Sequence, residues 1–383
     1  MVFDDLSRRI DTAFSQVTCS RYNAVSPMNE VTVVLAFGLG DDLVAPIRRV
    51  SPRLRVVVLS WAQRQVYRKG RPVWFAYAEG RRPEGETEEE ATANLAAILA
   101  QTEVLFTSPM IPPDIADTAP NLRWVQLTSA GLDRLLDSEL ASARGRITLT
   151  TASGIHAVPI GEYVMGAMLA FAKGFAGAMR AQTERTWRPY LAEELYGKTV
   201  GIVGLGAIGG HVAKLAKTDG MRVLAIRRSV QRRAEGHDTG VADVDELLPP
   251  SDLPYLLSQA DYVVIAVPLT QESRGLIGEG ELRAMKTTAR IINIARGAVI
   301  DEAALVRALK QGWIAGAALD VFEQEPLSPE SELWGMENVI LTPHISGGTP
   351  VYMERAVALF AENLRRYLAG EPLRNTVDLK RGY

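Results

Sequence analysis

The stretch GLGAIGG, Gly204–Gly210, has the residue types and spacing to bind an anion through its backbone. The run Thr199–Val203 before it is apolar and rich in β-branched residues, and His211–Lys217 after it reads as helix. A strand, G-x-G-x-x-G and a helix, in that order, describe a dinucleotide site. Gly204 permits the tight turn, Gly206 lets the backbone approach a pyrophosphate, and Gly209 lets the helix pack on the strand. Ala207 and Ile208 complete the turn, where the helix start presents free N–H groups and partial positive charge. Without these flanks the same glycines would be an ordinary turn.

The next strand, Arg222–Ile226, ends in Arg227-Arg228-Ser229. A site selective for NAD usually carries Asp or Glu there, to accept hydrogen bonds from the ribose 2′-hydroxyl. No acid is present. Two guanidinium groups and a hydroxyl suit a 2′-phosphate instead, so the expected cofactor is NADP, with NAD the alternative. Arg232 and Arg233 add positive charge nearby; the bland alternative is a solvated basic loop.

These residues need a scaffold, and the chain is long enough for two domains at 383 residues. Lys plus Arg is 42 and Asp plus Glu is 45, so nothing global favours nucleic acid or an anionic membrane. The one cysteine, Cys19, excludes an internal disulfide and a cysteine metal cluster, and no metal is expected. The N-terminus carries early acids and lacks a long apolar run, so a cytoplasmic location is expected. The apolar segment 158–172 is short for a membrane span and contains Glu162, which suits a buried helix.

Apolar runs predict strands at 31–37, 54–59, 104–107, 122–127 and 147–150. From about 152, strands at 199–203, 222–226, 262–267, 289–294, 316–319 and 339–341 alternate with helices at 206–219, 279–286 and 301–311. Such alternation implies a parallel sheet covered by helices on both sides. Thr87 and Glu90 fit a capping box before the helix at 91–100. Asp301 can cap the 301–311 helix and Gly312 ends it. Thr349 and Pro350 are the expected start of a last helix that Gly370 stops. Segments 1–30 and 62–90 read as additions.

Three segments, IINIARGAVIDE (291–302), AALDVFEQEP (317–326) and LTPHISGG (341–348), resemble the D-isomer-specific 2-hydroxyacid dehydrogenases. The resemblance spans about 31–383 and is densest from 199 to 349. It implies two doubly wound α/β domains, with a Rossmann-type nucleotide domain (152–345) inserted in a discontinuous flavodoxin-like substrate domain (1–151 and 346–383). It also implies catalytic roles for Arg296, Glu325 and His344. Arg296 would hold the substrate carboxylate and polarise its carbonyl, since its charge is permanent. His344 would be the general acid, or the base in reverse, a pair of roles that histidine as a residue type can fill. Glu325 would orient the imidazole and favour its charged form.

Ser129, Ala130 and Gly131, in LTSAGLD, resemble the family loop whose N–H groups receive the carboxylate. Pro268, in the PLTQES segment, and Asp320 complete the cofactor side. Asp320 reads as a structural acid or a group near the nicotinamide. Trp187 resembles an aromatic that closes the site in related reductases, and Arg274 suits a helix cap. His156, His211 and His237 match no catalytic segment and read as structural or surface residues. The expected activity is NAD(P)H-dependent reduction of a small 2-keto acid such as glyoxylate or hydroxypyruvate. The helix around 159–180 suggests a homodimer. The alternative is a dinucleotide-sensing binding protein on the same fold, because fold alone does not fix function.

Overall fold

The computed structural model describes residues 30–69, 85–132, 146–228 and 241–378. The strands fall into two wholly parallel sheets. The first holds β1 (Val31–Leu35), β2 (Leu54–Val58), β3 (Val104–Thr107), β4 (Trp124–Leu127) and β5 (Thr148–Thr150), in the order β2-β1-β3-β4-β5. The second holds β6 (Thr199–Val203), β7 (Arg222–Ile226), β8 (Glu246–Leu248), β9 (Tyr262–Ile265), β10 (Arg290–Asn293), β11 (Gly316–Leu319) and β12 (Val339–Leu341). Its order is β12-β11-β10-β9-β6-β7-β8. Each order reverses beside its first strand, β1 or β6, as in doubly wound sheets that take ligands beyond their C-terminal strand ends. Every residue of β1 and β6 is buried, as expected of parallel strands covered on both faces.

After β12 the chain returns to the first sheet through the helix Tyr352–Ala369. Val357, Phe360 and Leu364 pack there with Val33, Leu35 and Trp124. The Phe360 and Phe106 rings stack with centroids 4.3 Å apart. Asn363 Nδ2 donates to Gln126 Oε1 at 2.9 Å in the buried layer, which fixes the helix register on β4.

Several sequence expectations change in detail. Strand β8 was not expected; its short run Glu246-Leu-Leu248 pairs with β7 at the sheet edge. The last helix begins at Tyr352, because Tyr352 N–H donates to Thr349 O and residues 349–351 form a turn before it. Residues 62–68 are not an addition. They belong to the helix Trp61–Arg68, capped by Ser60, and its Tyr67 OH pairs with Thr107 Oγ1 at 3.2 Å in the core. The Thr87–Glu90 capping box is present. Residues 1–29 and 70–84 lie outside the described residues.

The segment read as a helix around 159–180 is two helices, Ala157–Ala172 and Phe175–Thr183, separated at Gly174. Gly174 takes the left-handed backbone (φ 64°) that favours glycine. The first helix buries Ile160, Val164 and Met168, and Gly161 admits His211 and Leu215 of the helix Ala207–Thr218. Among the described residues no helix is long and apolar enough to cross a membrane.

Candidate active site

The glycine turn follows β6 directly. A Cβ at Gly209 would come within 2.2 Å of Gly204 O, so only glycine allows the helix to sit this close. Gly204 has φ 107°. A Cβ at Gly206 would meet nothing within 4 Å, so no protein contact demands glycine there. The open space in front of that backbone, at the start of the helix Ala207–Thr218, fits a pyrophosphate.

Arg227 and Arg228 are exposed just past β7, and Arg227 N–H donates to Leu248 O of β8 at 3.1 Å. The Arg228 charge acts on Glu272, in the loop after β9. Arg228 therefore stands on the side of the β9 loop, with Arg227 next to it in the chain. Ser229 and His237 lie outside the described residues. Pro268 opens the β9 loop, and its carbonyl accepts Ser273 Oγ at 2.6 Å. Residues 271–275 are a turn, so Arg274 caps no helix; it is exposed on that turn.

Beyond β10, Asn293 shapes the turn that carries Arg296. Its Oδ1 accepts Ala295 N–H at 3.1 Å, and its Nδ2 donates to Arg296 O at 3.0 Å. Gly297 is needed because a Cβ there would fall 1.8 Å from the Phe322 carbonyl carbon. That close approach brings the segment after β11 against the Arg296 turn. The Arg296 guanidinium donates to Ala295 O at 2.7 Å.

His344 and Glu325 meet across loops from different strands. His344 Nδ1 lies 2.8 Å from Glu325 Oε2, which leaves Nε2 as the ring nitrogen available to a substrate. Glu325 Oε1 accepts Phe322 N–H at 3.1 Å. Burial works to raise the Glu325 pKa, but the hydrogen bond and charge of His344, the Phe322 N–H and the Arg296 charge outweigh it. The carboxyl is held below its ordinary value. The His344 side chain keeps 40% of its surface exposed, so a small molecule can reach it.

Asp320, fully buried, pins the histidine loop. Its Oδ1 accepts Thr342 Oγ1 at 2.7 Å and Ile345 N–H at 2.8 Å, and its Oδ2 accepts Ser346 N–H at 2.9 Å. His344 sits inside that loop with φ 53°, a conformation rare for a residue with a side chain. Tyr163 OH lies 2.8 Å from Thr342 Oγ1 and extends the network to the helix Ala157–Ala172; burial raises its pKa to about 12, so it stays neutral. The sequence offered no sign of the Thr342 and Tyr163 contacts, because each depends on residues far away in the chain; the Asn293 contacts are local to its own turn.

In the first sheet, Ser129, Ala130 and Gly131 follow β4. Thr128 N–H donates to Thr107 O and Ala152 N–H to Ser129 O, both at 2.9 Å. Ser129 Oγ donates to Gly131 O at 3.1 Å. Among the described residues the N–H groups of Ser129, Ala130 and Gly131 meet no protein acceptor, which suits a loop that receives a carboxylate.

A family model, "D-isomer specific 2-hydroxyacid dehydrogenase, NAD binding domain", matches residues 165–346. The glyoxylate reductase of Thermofilum pendens is 42% identical over 270 residues, 68% of this chain and 76% of the relative. The chain belongs to the D-isomer-specific 2-hydroxyacid dehydrogenase family. The glyoxylate reductase of Pyrococcus furiosus is 40% identical over 277 residues, 70% of this chain and 79% of that one. A family member from Xanthobacter autotrophicus Py2, solved in complex with NADPH and MES, superimposes with a TM-score of 0.72. It is 29% identical and covers 93% of this chain and 100% of its own. This dehydrogenase is therefore an NAD(P)-dependent enzyme of 2-hydroxy and 2-keto acids.

Trp187 is 94% exposed in this dehydrogenase. His156 is a structural histidine, as expected: it is half-buried, packed at a tilt against Tyr352, and near enough to Arg296 to feel its charge. His211 packs over Gly161, between two helices.

Proposed function

We propose that the protein reduces a small 2-keto acid, of the glyoxylate or hydroxypyruvate kind, to the D-2-hydroxy acid, with NADPH preferred over NADH. The single observation that carries this reading is the 2.8 Å Glu325–His344 pair beside Arg296, beyond the C-terminal ends of β10, β11 and β12.

When bound, the nicotinamide cofactor supplies hydride to the keto carbon. His344 Nε2 delivers the proton to the carbonyl oxygen, and Glu325 stabilises the imidazolium that must exist beforehand. Arg296 grips the substrate carboxylate and polarises the carbonyl, and the N–H groups of Ser129, Ala130 and Gly131 bind the other carboxylate face. Gly204, Gly206, Ala207, Ile208 and Gly209 would hold the pyrophosphate. Arg227, Arg228 and Ser229 would hold a 2′-phosphate, which favours NADPH. Pro268 would border the nicotinamide end, and the fully buried Asp320 would act there through the loop it holds.

In this reading residues 1–151 and 346–383 form the substrate domain and 152–345 the nucleotide domain. The name of the Thermofilum pendens relative supports the substrate class, and the NADPH complex of the Xanthobacter relative supports the cofactor. A homodimer is part of the same proposal. Met179, Trp187, Leu191 and Tyr196 are 66%, 94%, 99% and 77% exposed, and large apolar side chains left open to water suit a partner subunit.

The test is oxidation of NADPH and, separately, NADH with glyoxylate, hydroxypyruvate, pyruvate and a bulkier keto acid. Faster turnover with NADPH and a two- or three-carbon acid supports the proposal. Cofactor binding without turnover of any acid overturns it in favour of a dinucleotide sensor.

A further inference from the structure

The two connections between the sheets run past each other next to the candidate site. One carries His156 into the helix Ala157–Ala172, and the other carries Tyr352 into the C-terminal helix. Their rings pack with centroids 5.2 Å apart and planes at 58°. Gly347 closes the imidazole from another side, since a Cβ there would reach 3.0 Å from His156 Cδ2.

From this stack the Tyr352 hydroxyl donates to Thr128 O at 2.6 Å. Thr128 is buried and immediately precedes the Ser129–Gly131 loop. Two cations lie near the imidazole. Burial, then the charges of Arg296 and Arg355, lower the His156 pKa to about 4, so the ring is neutral where the enzyme works. Arg355 is itself tied to the crossing, donating to Ile155 O at 3.4 Å. The carboxylate loop of one sheet is thus tied by Tyr352 to the His156 ring, which lies near enough to Arg296 of the other for its charge to act.

We propose that Tyr352, braced by the His156 ring, is a positioning residue: its hydroxyl holds the 128–131 loop in register with Arg296, so that both grips on the substrate carboxylate stay aligned. This rests on the reading of that loop and Arg296 as the carboxylate site. The carboxylate is held alike in the ground and transition states, so misplacing the loop raises KM and spares kcat. A purely structural role would instead lower thermal stability and active fraction, with no selective change in keto-acid KM.

The experiment compares the full-length wild type with Tyr352→Phe, which keeps the stack and removes only the hydroxyl. A hydrogen bond of this kind contributes a few-fold, so KM for the keto acid should rise about 3- to 10-fold. The values of kcat and of KM for NADPH should stay within about 2-fold, and amide exchange over 128–132 should quicken. His156→Ala should raise KM in the same direction, and the double variant should add little beyond either, because both act through one loop. Unchanged KM with unchanged exchange, or full additivity of the two substitutions, overturns the proposal. If the wild type reduces no 2-keto acid, the functional reading fails separately. Amide exchange in Tyr352→Phe then decides the link: faster exchange over 128–132 supports it, and unchanged exchange overturns it.

Discussion

Asp320 Oδ2 accepts the backbone N–H of Ser346 at 2.9 Å, while its Oδ1 serves Thr342 and Ile345. A buried carboxylate therefore holds the Thr342 side chain before His344 and the backbone after it. Asp320→Asn replaces one acceptor oxygen with a donor facing a donor. Such a loss costs about 1–3 kcal/mol, and it misplaces the proton donor. We expect lower thermal stability and about a tenfold or greater fall in kcat, with binding of NADPH retained. Thermal unfolding and steady-state kinetics on the same preparation check both parts.

The Glu325 carboxylate is held below its ordinary value by His344, Phe322 N–H and Arg296 against the opposing effect of burial. Its folded pKa is depressed, so its contribution to stability is present above the ordinary value of 4.5 and lost as pH falls through the lowered one. Glu325→Gln should thus be less stable than wild type at pH 7, and the difference should vanish in acid. The variant also removes the charge that favours imidazolium. We expect kcat to fall about 10- to 100-fold at neutral pH. A variant equal to wild type in both measurements would exclude the pairing role.

His156 gives a pH effect through burial, assisted by the charges of Arg296 and Arg355. Its pKa falls from 6.5 to about 4 on folding, so the unfolded chain takes up the proton first as pH drops. Stability is full above 6.5 and is lost progressively towards 4. At pH 5 the loss amounts to about 2 kcal/mol relative to pH 7.5. His156→Phe, which keeps a ring against Tyr352, should flatten this part of the urea-unfolding profile. An unaltered profile would show that another group is responsible.

Arg227 and Arg228 stand exposed at the end of β7. Charge-assisted bonds to a phosphate contribute about 1.5–3 kcal/mol, so Arg228→Ala should raise KM for NADPH about tenfold or more. KM for NADH should hardly move, and added salt should weaken NADPH more than NADH in the wild type. Equal effects on the two cofactors would refute a 2′-phosphate clamp.

Much of this arrangement was legible in the sequence because it is local. The β-branched runs at 31–35 and 199–203, the turn at Gly204–Gly209 and the Thr87–Glu90 cap each follow from neighbouring residues. What stayed hidden depends on distance along the chain. Strand β8 is three residues long and exists only because β7 offers an edge. The Trp61–Arg68 helix reads as polar, yet Tyr67 reaches Thr107 in the core. The partners of Asp320 lie 22 to 26 positions away, and Tyr352 meets Thr128 across 224. The glycine at 297 signals a close approach but not what approaches, which is the Phe322 backbone.

In the proposed reaction His344 protonates a small keto acid while the cofactor is held independently of it. Turnover of glyoxylate with NADPH by wild type and His344→Asn, with NADPH affinity measured by fluorescence on both, tests this. We expect active wild type, a fall in kcat of about 10²- to 10⁴-fold in the variant, and equal NADPH affinity. Comparable turnover in the two proteins, or cofactor binding by a wild type that reduces no keto acid, would contradict it.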